Sequence, residues 1–137
     1  MGTIVKISEA AVLAVHAVNF LAKAGRSSSS TRHIASELGV SYNHLTKVMQ
    51  RLTRAGLLVS GRGPKGGFLL SKKAGTGKLR DVFEAIDGKL SLSNCLMRTK
   101  VCGKPGCILG SLVSDTNRKF REALDKDISE LRRQKPC

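Results

Sequence analysis

The feature that most constrains this chain is a pair of short amphipathic helices joined by a tight turn and followed directly by a glycine-rich hairpin. Apolar residues at helical spacing predict one helix that is capped by Thr31 and a second that is capped by Ser41, with Gly39 in the turn between them. Two apolar runs, 57–60 and 68–70, then flank a turn-rich segment, which is typical of a β-hairpin. A helix-turn-helix with a hairpin behind it predicts a winged helix.

Further helices are predicted on both sides of this unit. Ser8 is expected to cap a first helix that ends at Gly25, and the polar serine run 26–30 is expected to form a loop. Thr76 is expected to cap a later helix, in which the apolar residues recur at three- and four-residue steps until Gly88. The chain is therefore predicted to be mainly α-helical, with one small β-hairpin.

The last part of the sequence predicts a long helix over 108–133 with a narrow apolar stripe. The far end of the stripe has little local chain to pack against, so we expect it to pair with a second subunit. The organisation predicted is a winged helix-turn-helix DNA-binding domain over 1–75, followed by a cysteine loop and dimerisation helix over 76–137.

The charge distribution indicates a polyanionic partner. The 137 residues hold 24 Lys and Arg against 10 Asp and Glu, a formal net charge of +14, and no acid lies between Glu37 and Asp81. Such an acid-free basic stretch suits phosphate contacts, although a solvated basic face is the simpler alternative. Glycine and proline interrupt the stretch, which disfavours a basic membrane-surface helix. The sequence contains no apolar run long enough to span a bilayer, and it shows no signal-peptide pattern. The chain is therefore expected to be cytoplasmic.

The second helix of a helix-turn-helix enters the major groove of duplex DNA, and the side chains near its start reach the base edges. Asparagine suits adenine, lysine suits guanine and a threonine methyl suits thymine, whereas a helix start and arginines suit phosphate or the minor groove. Outward polar residues on a helix are also often only solvated. The predicted DNA-contacting residues are Ser41, Tyr42, Asn43, Thr46, Lys47, Arg51, Arg62 and Lys65.

Three of the four cysteines, Cys95, Cys102 and Cys107, lie in a segment without clear periodicity, and Cys137 near the chain end looks incidental. No pair has the two-residue spacing of zinc knuckles, and a cytosolic protein is not expected to hold a structural disulfide. Thiolate clusters favour iron–sulfur clusters or zinc. From spacing alone, an iron–sulfur cluster, zinc, a thiol switch and inert thiols all remain open.

Four segments together resemble a known family. They are ISEAAVLAVHAV, HIASELGVSYNHLTKVMQRLTRAGLL, GRGPKGGFLL and KLRDVFEAIDG, and the three-cysteine loop and the last helix follow them. The chain resembles the IscR/NsrR/CymR-type winged-helix transcription regulators over nearly its whole length. The resemblance implies a homodimer that crosses its C-terminal helices. It also implies an iron–sulfur cluster, either 2Fe–2S or 4Fe–4S, on Cys95, Cys102 and Cys107, because the cluster-bearing members use three cysteines in this loop.

The fourth cluster ligand is less defined by the resemblance. Gly110 occupies the position of the histidine ligand of one family type, which excludes that mode here. In another type the ligand is a carboxylate at the start of the first helix of the partner subunit, and Glu9 falls at that place. Glu9 has an ordinary explanation as well, since an acid complements the dipole at a helix N-terminus. Ser8, Asn94 and an exogenous small molecule are the alternatives.

The expected function is that of a sequence-specific transcription regulator, a homodimer on a palindromic operator in double-stranded DNA. It would sense redox state, nitric oxide or iron–sulfur status through the cluster. The alternative is a cluster-free thiol- or ligand-responsive repressor of the same fold, and a nonspecific DNA-coating protein is a further one. The cysteines lack a two-residue motif and no nucleophile–base pairing is evident, so the chain is not expected to be an enzyme.

Overall fold

The computed structural model describes residues 7–61, 63, 66–97, 99, 101–103 and 106–133. Arg62 and Lys65, two of the predicted DNA contacts, lie outside the described residues, as does Cys137. The helices are α1 (Glu9–Ala24), α2 (Thr31–Leu38), α3 (Tyr42–Arg54), α4 (Lys72–Gly75), α5 (Leu79–Asp87), α6 (Leu112–Leu124) and a 3₁₀ helix (Ile128–Arg133), and the strands are β1 (Leu58–Ser60) and β2 (Phe68–Leu70).

Serine hydroxyls start the first three helices. Ser8 accepts a hydrogen bond from the Ala11 N–H at 3.1 Å, as predicted, and Ser41 accepts one from the His44 N–H at 3.3 Å. The cap of α2 was predicted one residue too late, because Ser30 accepts the His33 N–H at 3.1 Å and the following residue is already helical. Each cap satisfies a backbone donor that the first helical turn leaves unpaired.

The hairpin confirms the predicted wing. Strands β1 and β2 are antiparallel, with Leu58 opposite Leu70 and Ser60 opposite Phe68. The serine run, predicted as a loop, contributes one further pairing: the Ser29 N–H donates to the Phe68 carbonyl at 3.1 Å and the Phe68 N–H donates to the Ser29 carbonyl at 2.8 Å. The wing is thereby fixed to the segment that leads into α2.

The core lies around α1, which packs against α3, α5 and the 3₁₀ helix. It draws apolar residues from both of the predicted parts of the chain, 1–75 and 76–137. Its most deeply buried members, at no more than 2% exposure, include Ala11, Ala14, Ala17, Val18, Leu21, Ile34, Leu45, Val48, Met49, Leu52, Leu57, Leu58, Val82 and Ile128. Among the helices of the described ranges, none has both the length and the apolar character that a membrane crossing requires.

The start of α5 differs from the prediction. Thr76 follows the short helix α4 instead of capping α5, which begins at Leu79. The donor at this helix start is satisfied from inside the helix, because the Asp81 carboxylate accepts the backbone N–H of Lys78 at 2.8 Å. Gly88 ends the helix with φ +82°, as predicted.

The predicted long helix over 108–133 is two elements. Helix α6 ends at Leu124, and the 3₁₀ helix turns back onto α1, where Ile128 and Leu131 are buried. Two backbone hydrogen bonds hold the return, from the Leu79 N–H to the Lys126 carbonyl and from the Ile128 N–H to the Gly77 carbonyl, both at 3.0 Å. The far end of the apolar stripe therefore finds its partner within the same chain.

Replacement of Gly67 by alanine is expected to lower the free energy of unfolding by about 1–3 kcal/mol, the usual cost of overpacking. A Cβ at this position would lie 2.6 Å from the backbone carbonyl of Ser29, which cannot move without breaking its pairing with Phe68. Urea denaturation measures the change. The control is Gly75→Ala, because a Cβ there meets nothing within 4 Å. Equal stability of the two variants would contradict the account.

Candidate functional sites: a basic helix face and a cysteine cavity

The start of α3 presents an exposed polar face. Tyr42 is 44% exposed, and Asn43 and Lys47 are exposed one turn apart. Thr46 is half-buried, and its hydroxyl donates to the Tyr42 carbonyl at 2.8 Å, which engages the hydroxyl within the helix. Leu45, Val48, Met49 and Leu52 form the opposite, buried face. The face predicted from the sequence to meet DNA is therefore open to a large partner.

Arg32 is a basic residue on this surface that the sequence analysis did not select. Its guanidinium carbon lies 4.9 Å from the centre of the Tyr42 ring, a cation–π contact. Both residues line a cavity of about 510 Å³ between the start of α2, the start of α3 and the wing. A signal was available in the sequence: an arginine in the first turn of a helix opposes the helix dipole, which favours a functional reason for its presence.

Arg51 is exposed, as a phosphate contact requires, and it also contacts α5. Its Nη1 donates to the carbonyl of Ile86 at 3.4 Å, in the last turn of α5. A cation near the C-terminal carbonyls of a helix is favourable. This arginine therefore links α3 to α5, in addition to any contact with a phosphate.

Three thiols line one cavity beside α6. Cys95, Cys102 and Cys107 border a space of about 610 Å³ together with glycines and the first turn of α6. Cys95 and Cys102 are half-buried, Cys107 is exposed, and all three are free of disulfides. These cysteines, predicted to form one site because they are close in the sequence, line one cavity in the structure.

The donors around this cavity suit one kind of metal group better than another. In the described ranges, no group of three or more His, Cys, Asp or Glu side chains is arranged to hold a single metal ion. A structural zinc ion needs four donors converging on one point. The thiolates of an iron–sulfur cluster surround a body of several atoms, and backbone N–H groups bond to its sulfides. Three thiols around a cavity with Gly103 and Gly106 in its wall fit the cluster better than the ion.

The candidate fourth ligands occupy different places. Asn94 and Gly110 border the cysteine cavity, whereas Glu9 is exposed in the first turn of α1. Ser8 is engaged elsewhere, because its hydroxyl donates to Asp87 Oδ1 at 2.5 Å and its backbone N–H donates to Asp87 Oδ2 at 2.9 Å. Of the side-chain candidates within one chain, Asn94 is thus the one that reaches the cavity.

An apolar rim surrounds the thiols. A second space of about 230 Å³ adjoins the cysteine cavity and shares its three thiols. Ile108 is 90% exposed and Val101 is 65% exposed at its edge. The other exposed apolar residues of this region are Leu96, Met97, Leu109 and Leu112. Single apolar residues on a surface are ordinary, but a contiguous group marks an interaction surface.

The first turn of α6, next to the cavity, carries a carboxylate with a perturbed pKa. The Ser111 hydroxyl donates to Asp115 at 2.7 Å and holds the pKa of that carboxyl below its usual value, with a smaller contribution from Arg118. Desolvation raises the pKa of this carboxyl and offsets part of the effect, but the net shift is downward. Asp115 is consequently ionised near neutral pH, where its charge favours the start of α6.

Comparison with known proteins identifies related sequences. A family model described as Rrf2, iron-dependent transcriptional regulator, matches residues 7–128. The transcriptional regulator IscR of Klebsiella pneumoniae is 34% identical over 97 residues, which cover 71% of this chain and 52% of that protein. The chain thus spans about half the length of this curated relative.

Solved structures of similar fold include CymR of B. subtilis, described as the global cysteine regulator, with a TM-score of 0.75, 23% identity and coverage of 96% of this chain and 99% of that one. The oxidised form of CymR from Staphylococcus aureus gives a TM-score of 0.72 at 24% identity, covering 97% and 100%. IscR of T. potens gives 0.64 at 25% identity, covering 88% and 80%. These agree with the winged-helix fold predicted from the sequence.

The accessibility of the thiols predicts an order of chemical labelling. In the reduced, metal-free protein, iodoacetamide is expected to modify Cys107 before Cys95 and Cys102, because Cys107 is exposed and the other two are half-buried. Peptide mass spectrometry at short reaction times measures the three rates. Denatured protein is the control and should show three similar rates. Faster labelling of Cys95 than of Cys107 in the native protein would contradict the geometry.

Proposed function

The chain belongs to the Rrf2 family of transcriptional regulators, and from that premise we propose that it is a sequence-specific DNA-binding regulator controlled by an iron–sulfur cluster. We propose a cytoplasmic location for the chain, and its thiols would hold the cluster in the cysteine cavity. The observation that carries the cluster proposal is that Cys95, Cys102 and Cys107 line one cavity beside α6. The family description, an iron-dependent regulator, supports the same cofactor.

DNA binding is assigned to the exposed face of α3. The acid-free stretch from 38 to 80 removes charge repulsion from a phosphate backbone over the whole unit. Asn43 and Lys47 are the residues proposed to read bases, with Ser41, Tyr42 and Thr46 beside them. Arg51, and Arg62 and Lys65 of the wing, are proposed as phosphate or minor-groove contacts. Arg32 joins this set because of its contact with Tyr42.

A homodimer on a palindromic operator is the proposed assembly. Two α3 helices would then enter the major groove one DNA turn apart, about 34–36 Å. The exposed apolar rim, with Ile108 and Leu112 at the start of α6, is the surface that a second copy would cover. The proposed subunit contact thus lies at the beginning of the C-terminal apolar stripe. It was expected at the far end of the stripe, but that end packs on α1.

Cys95, Cys102 and Cys107 are the residues proposed to hold the cluster, with Glu9 of a second copy as the fourth ligand. When bound, the cluster would supply an inorganic centre that reacts with oxygen, nitric oxide or reductants. Glycines line the cavity wall, and a glycine backbone lets N–H groups come close to the sulfides of a cluster. Asn94 is the competing ligand within the chain because it borders the same cavity.

The end of α5 offers a physical route from the cysteine segment to α3. The segment begins after Gly88, and the two residues before Gly88 each contact another helix. Asp87 accepts both hydrogen bonds of Ser8 at the start of α1, and the Ile86 carbonyl accepts one from Arg51 of α3. A displacement of the cysteine segment would pull on both contacts. We propose that these two contacts are the connection through which the state of the cysteine segment would bias the orientation of α3.

The second candidate function is a cluster-free, thiol-responsive repressor of the same fold. The exposed free thiol of Cys107 favours it, since an accessible thiol is the one that oxidants reach first. In this alternative, protein purified without oxygen is colourless and iron-free, and DNA binding is lost on oxidation and restored by a dithiol reductant.

Replacement of Lys47 by alanine is expected to weaken binding to the preferred operator by about tenfold to a hundredfold, the usual size of one lost base contact, and to relax base preference at one position. The operator is obtained by selection from random duplexes with the wild-type protein, and affinities are compared at fixed salt. The control is Lys23→Ala, which removes the same charge at the end of α1. Equal losses on the operator and on random DNA would assign Lys47 to phosphate instead.

Protein purified without oxygen is expected to be coloured and to contain iron and acid-labile sulfide, with substoichiometric iron after Cys95→Ser, Cys102→Ser or Cys107→Ser. Holo and metal-free protein should differ in operator affinity. Cys137→Ser is the matched control and should leave the iron content unchanged. Glu9→Ala should shorten the lifetime of the cluster in air if Glu9 is a ligand. Iron-free, colourless wild-type protein would refute the proposal and favour the thiol-responsive alternative.

A further inference from the structure

A buried amide on α6 is unexplained by the packing around it. Asn117 is 1% exposed, in the middle of the helix that borders the cysteine cavity. Its Nδ2 donates to the Ser93 carbonyl at 2.7 Å and approaches Asn94 Oδ1 at 3.4 Å, while its Oδ1 has no partner within the described residues. A buried amide that satisfies only its donor side costs stability that an apolar residue would not. The role of this side chain therefore lies in the group that its N–H binds.

The Asn117 side chain binds the backbone just before Cys95, at the Ser93 carbonyl. The Ser93 hydroxyl accepts the Cys95 N–H at 3.1 Å and donates to the Cys95 carbonyl at 2.6 Å. Ser93 is in turn held by Asn117, whose donor is anchored on a rigid helix. A continuous chain of hydrogen bonds therefore runs from α6 through Ser93 to Cys95.

We infer that Asn117 is a positioning residue that fixes Cys95 at the wall of the cysteine cavity. The purpose of this placement rests on the proposed function, in which Cys95 is a cluster ligand. The physical claim itself concerns the thiol in the metal-free protein. Asn117 does not touch the thiol and acts chiefly through the Ser93 carbonyl at 2.7 Å, with a longer contact to Asn94 at 3.4 Å. The same link ties the position of Cys95 to α6, the helix that carries part of the apolar rim.

Two substitutions isolate the donor. Asn117→Asp keeps the shape of the side chain and its acceptors but removes the N–H that holds Ser93. Asn117→Leu removes both functions and fills the space with apolar atoms. Asn117→Gln keeps the donor on a longer arm and is the conservative rescue. Leu124→Ala is the control for lost stability, because Leu124 is buried on the same helix but lines none of the cavities that hold the thiols.

The measurement is the ratio of the alkylation rates of Cys95 and Cys107 in the reduced, metal-free, folded protein, read by peptide mass spectrometry. Asn117→Asp and Asn117→Leu are expected to raise the ratio about threefold to tenfold, the effect of losing one buried hydrogen bond. Asn117→Gln should recover part of it, and Leu124→Ala should leave it unchanged. An unchanged ratio in the folded Asp and Leu variants overturns the inference.

Ser93→Ala tests the middle link of the hydrogen-bond chain from α6 to Cys95. It keeps the inference falsifiable if an Asn117 variant does not fold. Because Ser93 lies in the cysteine segment outside the helices, this variant is expected to fold. It should raise the same ratio, and the double variant with Asn117→Asp should add little, since both changes break one chain of contacts. Fully additive effects would show that the two residues act separately and would contradict the inference.

The proposed function and this inference fail in different ways. Wild-type protein without iron defeats the cluster proposal, but the alkylation ratio still reports whether Asn117 positions Cys95. Where the protein does bind iron, Asn117→Asp should also shorten the lifetime of the cluster in air relative to Leu124→Ala. Equal lifetimes in those two variants would restrict the role of Asn117 to the metal-free protein and would overturn its link to cluster retention.

Discussion

Helix α1 buries a face built largely of alanine, and Ala11, Ala14 and Ala17 are completely shielded from solvent. Small side chains let neighbouring helices approach closely, so that α3, α5 and the 3₁₀ helix all pack on this one helix. The helix that we propose to face DNA, α3, and the helix that precedes the cysteine segment, α5, are thereby both held against α1. A larger residue at any of these alanines would separate the elements that the proposed function requires to move together.

The last turn of α5 is where this support meets the cysteine segment. Adjacent residues there contact two different helices: Ile86 accepts from Arg51 of α3, and Asp87 accepts from Ser8 of α1. An acid at the C-terminus of a helix is unfavourable with the helix dipole. The two hydrogen bonds from Ser8 offset that cost, and they explain why an acid occupies the position. The arginine, interpreted from the sequence as a phosphate contact, has a structural role as well.

Local signals in the sequence predicted the elements that depend on local physics. The cap at Ser8, the turn at Gly39, the wing strands and the buried face of α3 follow from spacing and from residue types that suit each place, and they are confirmed. The prediction of one long C-terminal helix was wrong for the opposite reason. Leu124, Ile128 and Leu131 have the spacing of one helix, but packing against α1 decides where the chain turns. Ser29 and Asn117 were missed because their partners, Phe68 and Ser93, are distant in sequence.

The apolar rim adjoins the cysteine cavity, because the smaller space beside that cavity is lined both by rim residues and by the three thiols. This neighbourhood connects the proposed assembly to the proposed sensing. Burial of a side chain such as Ile108 or Val101 contributes roughly 1.5–3 kcal/mol, so covering the rim with a second copy would offset part of the entropy cost of association. The same cover would exclude water from the thiols and limit the access of oxidants. A ligand supplied by the second copy, as proposed for Glu9, would arrive only when this surface is closed. Dimerisation and cofactor retention then stabilise each other, because each completes the surroundings that the other needs.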